Sequence, residues 1–430
     1  MPRRPAGAPA SCLRGPDAPA PAPAGGDRLL LLGACVRALA QSVLRGRLAR
    51  ARFPGGIIAL DFFGDADLEG DPIRIVSIRR DRGLDRTIAN LGRAALGECW
   101  EAVVPAGGLE NRPGLLRLLA RRGRLLGSAP EAIRAVRDPA RLFPWLARED
   151  LPHAPTRVAT IVPRAGRDRL LKRRRGAGGG GVRAARPGET VPPGWYLQEI
   201  LDGRPGSAAF LADGRDAVLL GVSEQLTGIA ALGACGYRHA GNLVDAVDLT
   251  QGPATLLDAE GVALARRIAA RLAARFALRG LGGFDFIAVR GRPHLIEVNP
   301  RWTASMELIE VAAGGSLIDA HLLAAESVGA GAAVAAAGVA RAARTMPGRG
   351  LARVLARGVL YAEETVVAPP PAALAAIGAG DRPRAGEIIL AGHPVCTLMT
   401  RAETRDAAFA ALEAKAAAIR ALLVSAGGGA

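Results

Sequence analysis

DFIAVRGRPHLIEVNPR, residues 285–301, reads as two extended runs joined at Gly291-Arg292-Pro293. Successive side chains of a strand point to opposite faces. With an odd number of residues in the loop, Asp285 falls opposite or nearly opposite Glu297, and Asp285, Glu297 and Asn299 share one face. Two carboxylates facing each other across a strand pair repel unless something positive lies between them. Mg²⁺ answers that need, because it takes hard oxygen ligands, one or two of them carboxylates, and completes its shell with phosphate oxygens. Asn299 adds an amide oxygen without adding charge. Pro300 ends the strand through its fixed φ and missing N–H, which puts the Arg301 guanidinium beside the metal, in reach of a phosphoryl group. Any one of these residues reads equally well as part of a solvated hairpin face with a surface arginine. The full set at this spacing reads as a metal and phosphate site.

Working outward, Lys172 precedes Gly176 and the run Gly178, Gly179, Gly180 and Gly181. Successive glycines let backbone N–H groups close on phosphate oxygens as an anion nest, and lysine adds a compact charge. A flexible surface loop is the competing reading. G-x-x-x-x-G-K-[ST] does not occur, which excludes a P-loop. YLQEIL (residues 196–201) is a strand that can offer backbone groups to an adenine edge, with Gln198 or Glu199 reaching an amino group. Any half-buried strand can be read the same way.

The chain has 430 residues, half of them hydrophobic, so several domains with a sizeable interior are expected. Its net charge of +16 would ordinarily point to nucleic acid or an anionic membrane. Yet Lys172 and Lys415 are its only lysines, and the arginines are scattered without interleaved aromatics to stack bases. A solvated basic surface, produced by a GC-rich coding bias, is the better reading, and no nucleic-acid partner is expected. The five cysteines are far apart and form no C-x-x-C, which suggests neither a zinc site nor a disulfide framework. No run reaches the ~18 apolar residues of a membrane span. Residues 1–26 read as a disordered Pro/Ala-rich tail lacking a signal-peptide core, and a cytoplasmic location is expected.

LLLLGA (29–34), IIALDFFGDADL (57–68), RIVSI (74–78) and AVVPAGGLEN (102–111) alternate with helical segments. That alternation predicts a small Rossmann-like parallel sheet over residues 27–127. Its first turn reads G-x-x-x-R rather than G-x-G-x-x-G, so a dinucleotide site is poorly supported. Asp61, Asp65 and Asp67 can ligate metal, contact substrate or cap the next segment. From residue 128 the spacing predicts a capped helix, then the strands around the glycine loop. An amphipathic helix over 258–276 and the hairpin follow, then an Ala-rich helix over 307–344. Residues 347–430 read as a small α+β unit.

Lys172 with its glycines, the Q-E-I hinge and D-F-I…L-I-E-V-N-P-R occur in the order of the ATP-grasp superfamily. With GLENRP, TASMEL and GHPVCT, the chain resembles the branch of predicted ATP-dependent carboligases related to biotin carboxylase over residues 29–400. The resemblance implies an α/β fold of three domains. These are a Rossmann-like pre-ATP-grasp domain (27–127), a split α+β ATP-grasp core (128–346, with a lid lobe over 128–196 and a large lobe over 197–346) and a C-terminal α+β domain (347–430). It also implies ATP and Mg²⁺ (or Mn²⁺) as cofactors. The reaction implied is ligation of a small-molecule carboxylate to a nucleophile, usually an amine, through an acyl phosphate, in cofactor biosynthesis. A phosphotransferase or a non-catalytic ATP-binding subunit on the same fold is the alternative. By position, Lys172 and Gly178 to Gly181 would hold phosphates, and Gln198, Glu199 and Ile200 adenine. Asp285, Glu297 and Asn299 would hold metal, and Arg301 the transferring phosphoryl group. The resemblance also fits a homodimer. Two departures stand out. Asp138-Pro139 occupies the place of a lid lysine, leaving Arg137 or Arg141 as stand-in, and Pro205-Gly206-Ser207 replaces an acidic ribose contact, leaving Asp202. Substrate is expected near residues 61–67 and 108–111, or near Glu224, Gln225 and Tyr237.

Overall fold

A computed structural model describes residues 27–70, 72–77, 84–326, 335, 338 and 353–425. The tail expected over 1–26 and the end of the Ala-rich helix expected to 344 lie outside these residues.

The first unit is a parallel sheet whose strands run in the order Ile73–Ser77, Ile57–Asp61, Leu29–Gly33, Ala102–Pro105 and Arg124–Leu125. Leu29, Leu30, Leu31 and Leu32 have no exposure, because a central parallel strand is covered on both faces. Leu29 and Leu31 pack toward Met306, Leu317 and Ile318, while Leu30 and Leu32 pack toward Trp100, Leu116 and Leu119.

Residues 130–148, expected to be helical with Ser and Asp caps, form two helices, Pro130–Val136 and Pro139–Arg148. Proline at the first helical position is pre-set for a start, and Asp138 caps the second helix by accepting from Ala140 N at 3.1 Å. Arg137 is left at the corner between the two. An antiparallel lid sheet follows, in the order Thr156–Arg157, Trp195–Glu199, Arg169–Ala177 and Gly180–Ala184.

An eight-stranded antiparallel sheet forms the body of the molecule. Its order is Arg292–Asn299, Arg279–Val289, Arg204–Asp213, Ala217–Thr227, His239–Asp245, Val354–Tyr361, Pro394–Ala402 and Ala379–Gly380. The C-terminal strands therefore join the large-lobe sheet directly, from Gly241 opposite Gly358 to Asp245 opposite Val354. The helix Ala259–Phe276 covers part of the sheet with Val262, Ala265, Ile268, Ala269, Leu272, Ala273 and Phe276, a single apolar stripe. Asp258 caps it by accepting from Gly261 N at 2.7 Å. The Ala-rich stretch is broken at Gly314, whose φ of 68° is left-handed, into Ser305–Ala313 and Leu317–Glu326. Among the described residues no single helix is long and apolar enough to cross a membrane.

A buried ionic cluster ties the first sheet to the body. Arg37, in the helix Arg37–Arg45, donates to Asp381 at 2.7 and 3.0 Å and to Glu307, and Arg357 donates to the same two acids at 2.9 and 3.3 Å. Asp67 accepts the backbone N–H groups of Asp381 and Arg382 at 2.9 and 3.0 Å. Burial raises the Asp381 pKa, but Arg37 and Arg357 outweigh it and leave the carboxyl well below its usual range. Its contribution to stability is thus present above the unfolded carboxylate pKa and lost as pH falls through the folded one. Removing one partner leaves uncompensated buried charge, so Arg37→Ala should cost ~3–5 kcal/mol, read as a lower urea midpoint at pH 7. An unchanged midpoint would mean that the cluster does not hold the units together.

Candidate active site

The strands Arg279–Val289 and Arg292–Asn299 are joined by Arg290 and Gly291, with φ of 51° and 75°. Two positive φ values match a tight hairpin turn to the twist of its strands. The loop therefore has two residues, an even number, and the expected pairing is rescued by a bulge. Phe286 faces Leu295, the register then skips Ile296, and Asp285 faces Glu297. The odd residue lies in the strand rather than the turn. Pro293 is tolerated because its strand is the sheet edge. Asn299 donates to Asp285 Oδ2 at 3.0 Å.

The two acids respond oppositely to burial. Asp285 is pushed up to about 6 by burial and by the charge of Glu297. Burial also works against Glu297, but the positive charges of Arg137, Lys172 and Arg301 outweigh it and lower its pKa. Arg137 pairs with Glu297 and donates to Val298 O at 3.2 Å and Gly176 O at 3.1 Å. Arg141 is largely exposed and lies 3.8 Å from Asp138. Of the two arginines weighed as substitutes for a lid lysine, the fold brings Arg137 to the site.

Arg301 donates through Nε to Glu110 Oε1 at 2.8 Å and through Nη1 to Trp302 O at 2.9 Å. Glu110 is buried and also accepts Gly108 N at 2.6 Å. Its neighbour Asn111 donates to Gly176 O at 3.3 Å. The GLEN turn of the first unit thus fixes one guanidinium and touches the lid.

Lys172 is buried and donates to Gln198 Oε1 at 3.1 Å, with Nζ 6.0 Å from the centre of the Tyr196 ring. Gln198 spends both amide hydrogens inside the protein, on Thr156 Oγ1 at 3.0 Å and Ile296 O at 3.2 Å. Its side chain thus orients Lys172. The backbone N–H groups of Glu199 and Ile200 already donate to Pro155 O and Asp168 O. Glycines 178, 179 and 181 all have positive φ, and the hairpin tip rests on the large lobe, where His239 N donates to Gly178 O at 3.1 Å. A Cβ on Gly179 would overlap the Tyr237 carbonyl oxygen.

One cavity of about 370 Å³ is lined by the residues expected to hold phosphate, adenine and metal: Lys172, Gly178, Gly179, Gly180, Gly181, Gln198, Glu199, Ile200, Asp285, Glu297, Asn299 and Arg301. Gln225 and Tyr237 line it too. Glu224 points to the other face and pairs with Arg204 and Arg405 at 2.7 and 2.6 Å. Asp61 accepts from Phe63 and Gly64 of its own loop and from Val36 at the start of the helix Arg37–Arg45, and Asp67 belongs to the ionic cluster. Asp65 lies within 4.8 Å of Cys35 and Asp381, whose counter-charge is Arg37. None of these acids lines the cavity, nor does Asp202. Tyr196, Ser207, His239 and Asn242 line it without having been singled out for it. Their signal is position within the sheet, which no short motif carries.

Residues 138–305 match the family model described as the ATP-grasp domain. No curated protein matches the chain. Among solved structures, the fold is similar to the biotin carboxylase–β,γ-ATP complex from Campylobacter jejuni (TM-score 0.60, 16% identity, 93% of this chain and 91% of that one). It is similar also to the biotin carboxylase domain dimer of Hydrogenobacter thermophilus 2-oxoglutarate carboxylase, in complex with MgADP, ADP and bicarbonate (TM-score 0.60, 16% identity, 89% and 87%). Rhizobium etli pyruvate carboxylase shares the fold over 39% of its length and 91% of this chain (TM-score 0.61, 15% identity). At these identities the likeness establishes the α/β fold.

The glycine hairpin gives a direct test of this geometry. Gly179→Val adds a side chain at a φ of 77° against the Tyr237 carbonyl and must lift the tip. Tryptic cleavage within residues 173–183 should accelerate about tenfold, corresponding to ~1.4 kcal/mol of local opening, with an unchanged circular dichroism spectrum. Wild-type cleavage rates would show that the tip is not seated on the large lobe.

Proposed function

With an ATP-grasp domain over residues 138–305 as premise, we propose that the chain is an ATP-dependent carboxylate ligase that forms a C–N bond through an acyl phosphate. The observation that carries this reading is the facing pair Asp285 and Glu297, ringed by Arg137, Lys172 and Arg301 beneath the glycine hairpin. In this reading Gly178, Gly179, Gly180 and Gly181 close over the phosphates with Lys172 and Arg137, and Arg301 steadies the transferring phosphoryl group. Apolar Leu170, Ile200, Ile287 and Ile296 line the same cavity and suit an adenine ring. Nucleotides and bicarbonate in the fold's solved relatives support this use of the cavity.

Asp285, Glu297 and Asn299 suit Mg²⁺ or Mn²⁺. All three offer hard oxygens, and burial together with the facing Glu297 raises the Asp285 pKa to about 6 unless a further cation joins the pair. Such an ion supplies charge neutralisation at the phosphates. The protein's own share is placement. Glu110 holds Arg301 before the substrate arrives, so a donor aimed at developing charge needs no reorganisation. The lid excludes water that would hydrolyse an acyl phosphate. A carboxylate oxygen attacks the γ-phosphorus, ADP departs, and a nitrogen nucleophile then displaces phosphate from the acyl carbon.

Glu297→Gln should lower ADP and phosphate release ~10²-fold or more in assays with MgATP and pools of carboxylates and amines, with the fold intact. Normal turnover in that variant would remove the metal assignment. Asp285 is neutral below its raised pKa, so Mn²⁺ affinity, followed by electron paramagnetic resonance, should fall as pH drops through about 6. Asp285→Asn should abolish that pH step, and a step persisting in the variant would assign it to another group.

A further inference from the structure

Four residues that line the cavity, Asn242, His239, Thr303 and Ser305, take no part in the phosphate and metal assignments above. Asn242 is 1% exposed and lies on the sheet face that carries Asp285, because its Nδ2 donates to Ser223 Oγ at 3.1 Å and Ser223 in turn pairs with Ser207, the partner of Asp285. Its Oδ1 is buried without a hydrogen-bond partner, as is His239 Nε2. A buried polar atom left unpaired is costly, so two of them, both from the strand His239–Asp245 and both in residues lining the cavity, mark a place for a ligand to complete. The His239 backbone is fixed from both sides, donating to Gly178 O and accepting from Tyr361 OH at 2.8 Å.

Asn242, His239, Thr303 and Ser305 carry no acid among them. Burial, with the charges of Arg357 and Arg301, lowers the His239 pKa to about 4 and keeps the ring neutral. The same surroundings oppose an ammonium ion and favour its free base. A carboxylate would meet the acceptor atoms Asn242 Oδ1 and His239 Nε2 here, whereas the Arg301 guanidinium offers it donors.

We propose that Asn242 and His239 form the subsite for the nucleophile and that it takes a primary amine as the uncharged base. This assignment rests on the ligase reading above. Asn242 Oδ1 accepts one N–H, and His239, with its proton on Nδ1, accepts another at Nε2. The nitrogen lone pair is then free to face the acyl phosphate at Arg301. The C–N bond forms as the acyl C–O bond to phosphate breaks, and phosphate leaves with that electron pair. The proton shed by nitrogen passes through His239 to the phosphate, giving an amide and hydrogen phosphate.

The test uses the full chain labelled with ¹⁵N-histidine, with the His239 ring signal assigned by its loss in His239→Gln. Hydroxylamine serves as the amine probe and acetate as the carboxylate probe. Hydroxylamine should move the Nε2 signal saturably, Asn242→Ala or Asn242→Ser should weaken that titration about tenfold, and acetate should leave the signal in place. A response to acetate in place of hydroxylamine, no response to hydroxylamine, or an undiminished titration in both Asn242 variants would overturn the proposal. Binding of Mg²⁺ with a fluorescent ATP analogue is measured on the same samples. Its absence in wild type removes the ligase reading, whereas retained binding without a histidine response removes the amine subsite alone.

Discussion

Two acids facing each other across a hairpin in a cavity set the terms for everything around them. Asp285 and Glu297 face each other because a bulge at Ile296 shifts the hairpin by one residue. With the pair fixed, its surroundings must supply positive charge. Three cations do so from three different parts of the chain: Arg137 from the corner between two helices, Lys172 from the lid, and Arg301 from the end of the edge strand. Each is itself held. Gln198 fixes Lys172, Glu110 fixes Arg301, and the Val298 and Gly176 carbonyls fix Arg137. A repulsion of a few kcal/mol thus organises three structural units around one cavity.

The first unit earns its place through that chain of contacts. Its sheet has no dinucleotide fingerprint, and its acids at residues 61–67 stabilise loops and an inter-unit cluster. What it gives the site is the GLEN turn, with Glu110 reaching Arg301 and Asn111 reaching the lid carbonyl of Gly176. Such contacts are useful only if the unit is held firmly against the body. The Arg37, Arg357, Glu307 and Asp381 cluster supplies that rigidity. Cluster and cavity lie on one face of the eight-stranded sheet, since Asn242 pairs with Arg357 across neighbouring strands.

Legibility from sequence followed the range of the interactions. Alternation along 285–301 identified which side chains share a face, because a strand's period is local. The reason they face each other was not legible: an odd loop was required, and the structure instead has an even turn and a bulge. The lone lysine beside glycines marked the lid. Glu110 was visible only as part of a family-like string, since nothing near it in sequence says that Arg301 will be its partner. The C-terminal strands looked separate because their pairing with His239–Asp245 spans more than a hundred residues. The side-chain partners of Gln198 were illegible for a related reason, as Thr156 and Ile296 lie far away along the chain.

Lys172 shows how composition and geometry meet. Only two of the 56 cationic side chains are lysines, so arginine is what this coding bias supplies wherever either will serve. At Arg137 and Arg301 a planar fork is an advantage, because each must engage several acceptors at once. At residue 172 the space lies between the Gln198 amide and the Tyr196 ring, within a buried strand. A guanidinium there would bring five donors to a place whose acceptors are the Gln198 amide oxygen and the Tyr196 hydroxyl. An ammonium fits as a point charge and keeps donors free for a phosphate oxygen. The rare residue thus stands where its own shape is required, beside a carboxylate pair that needs its charge.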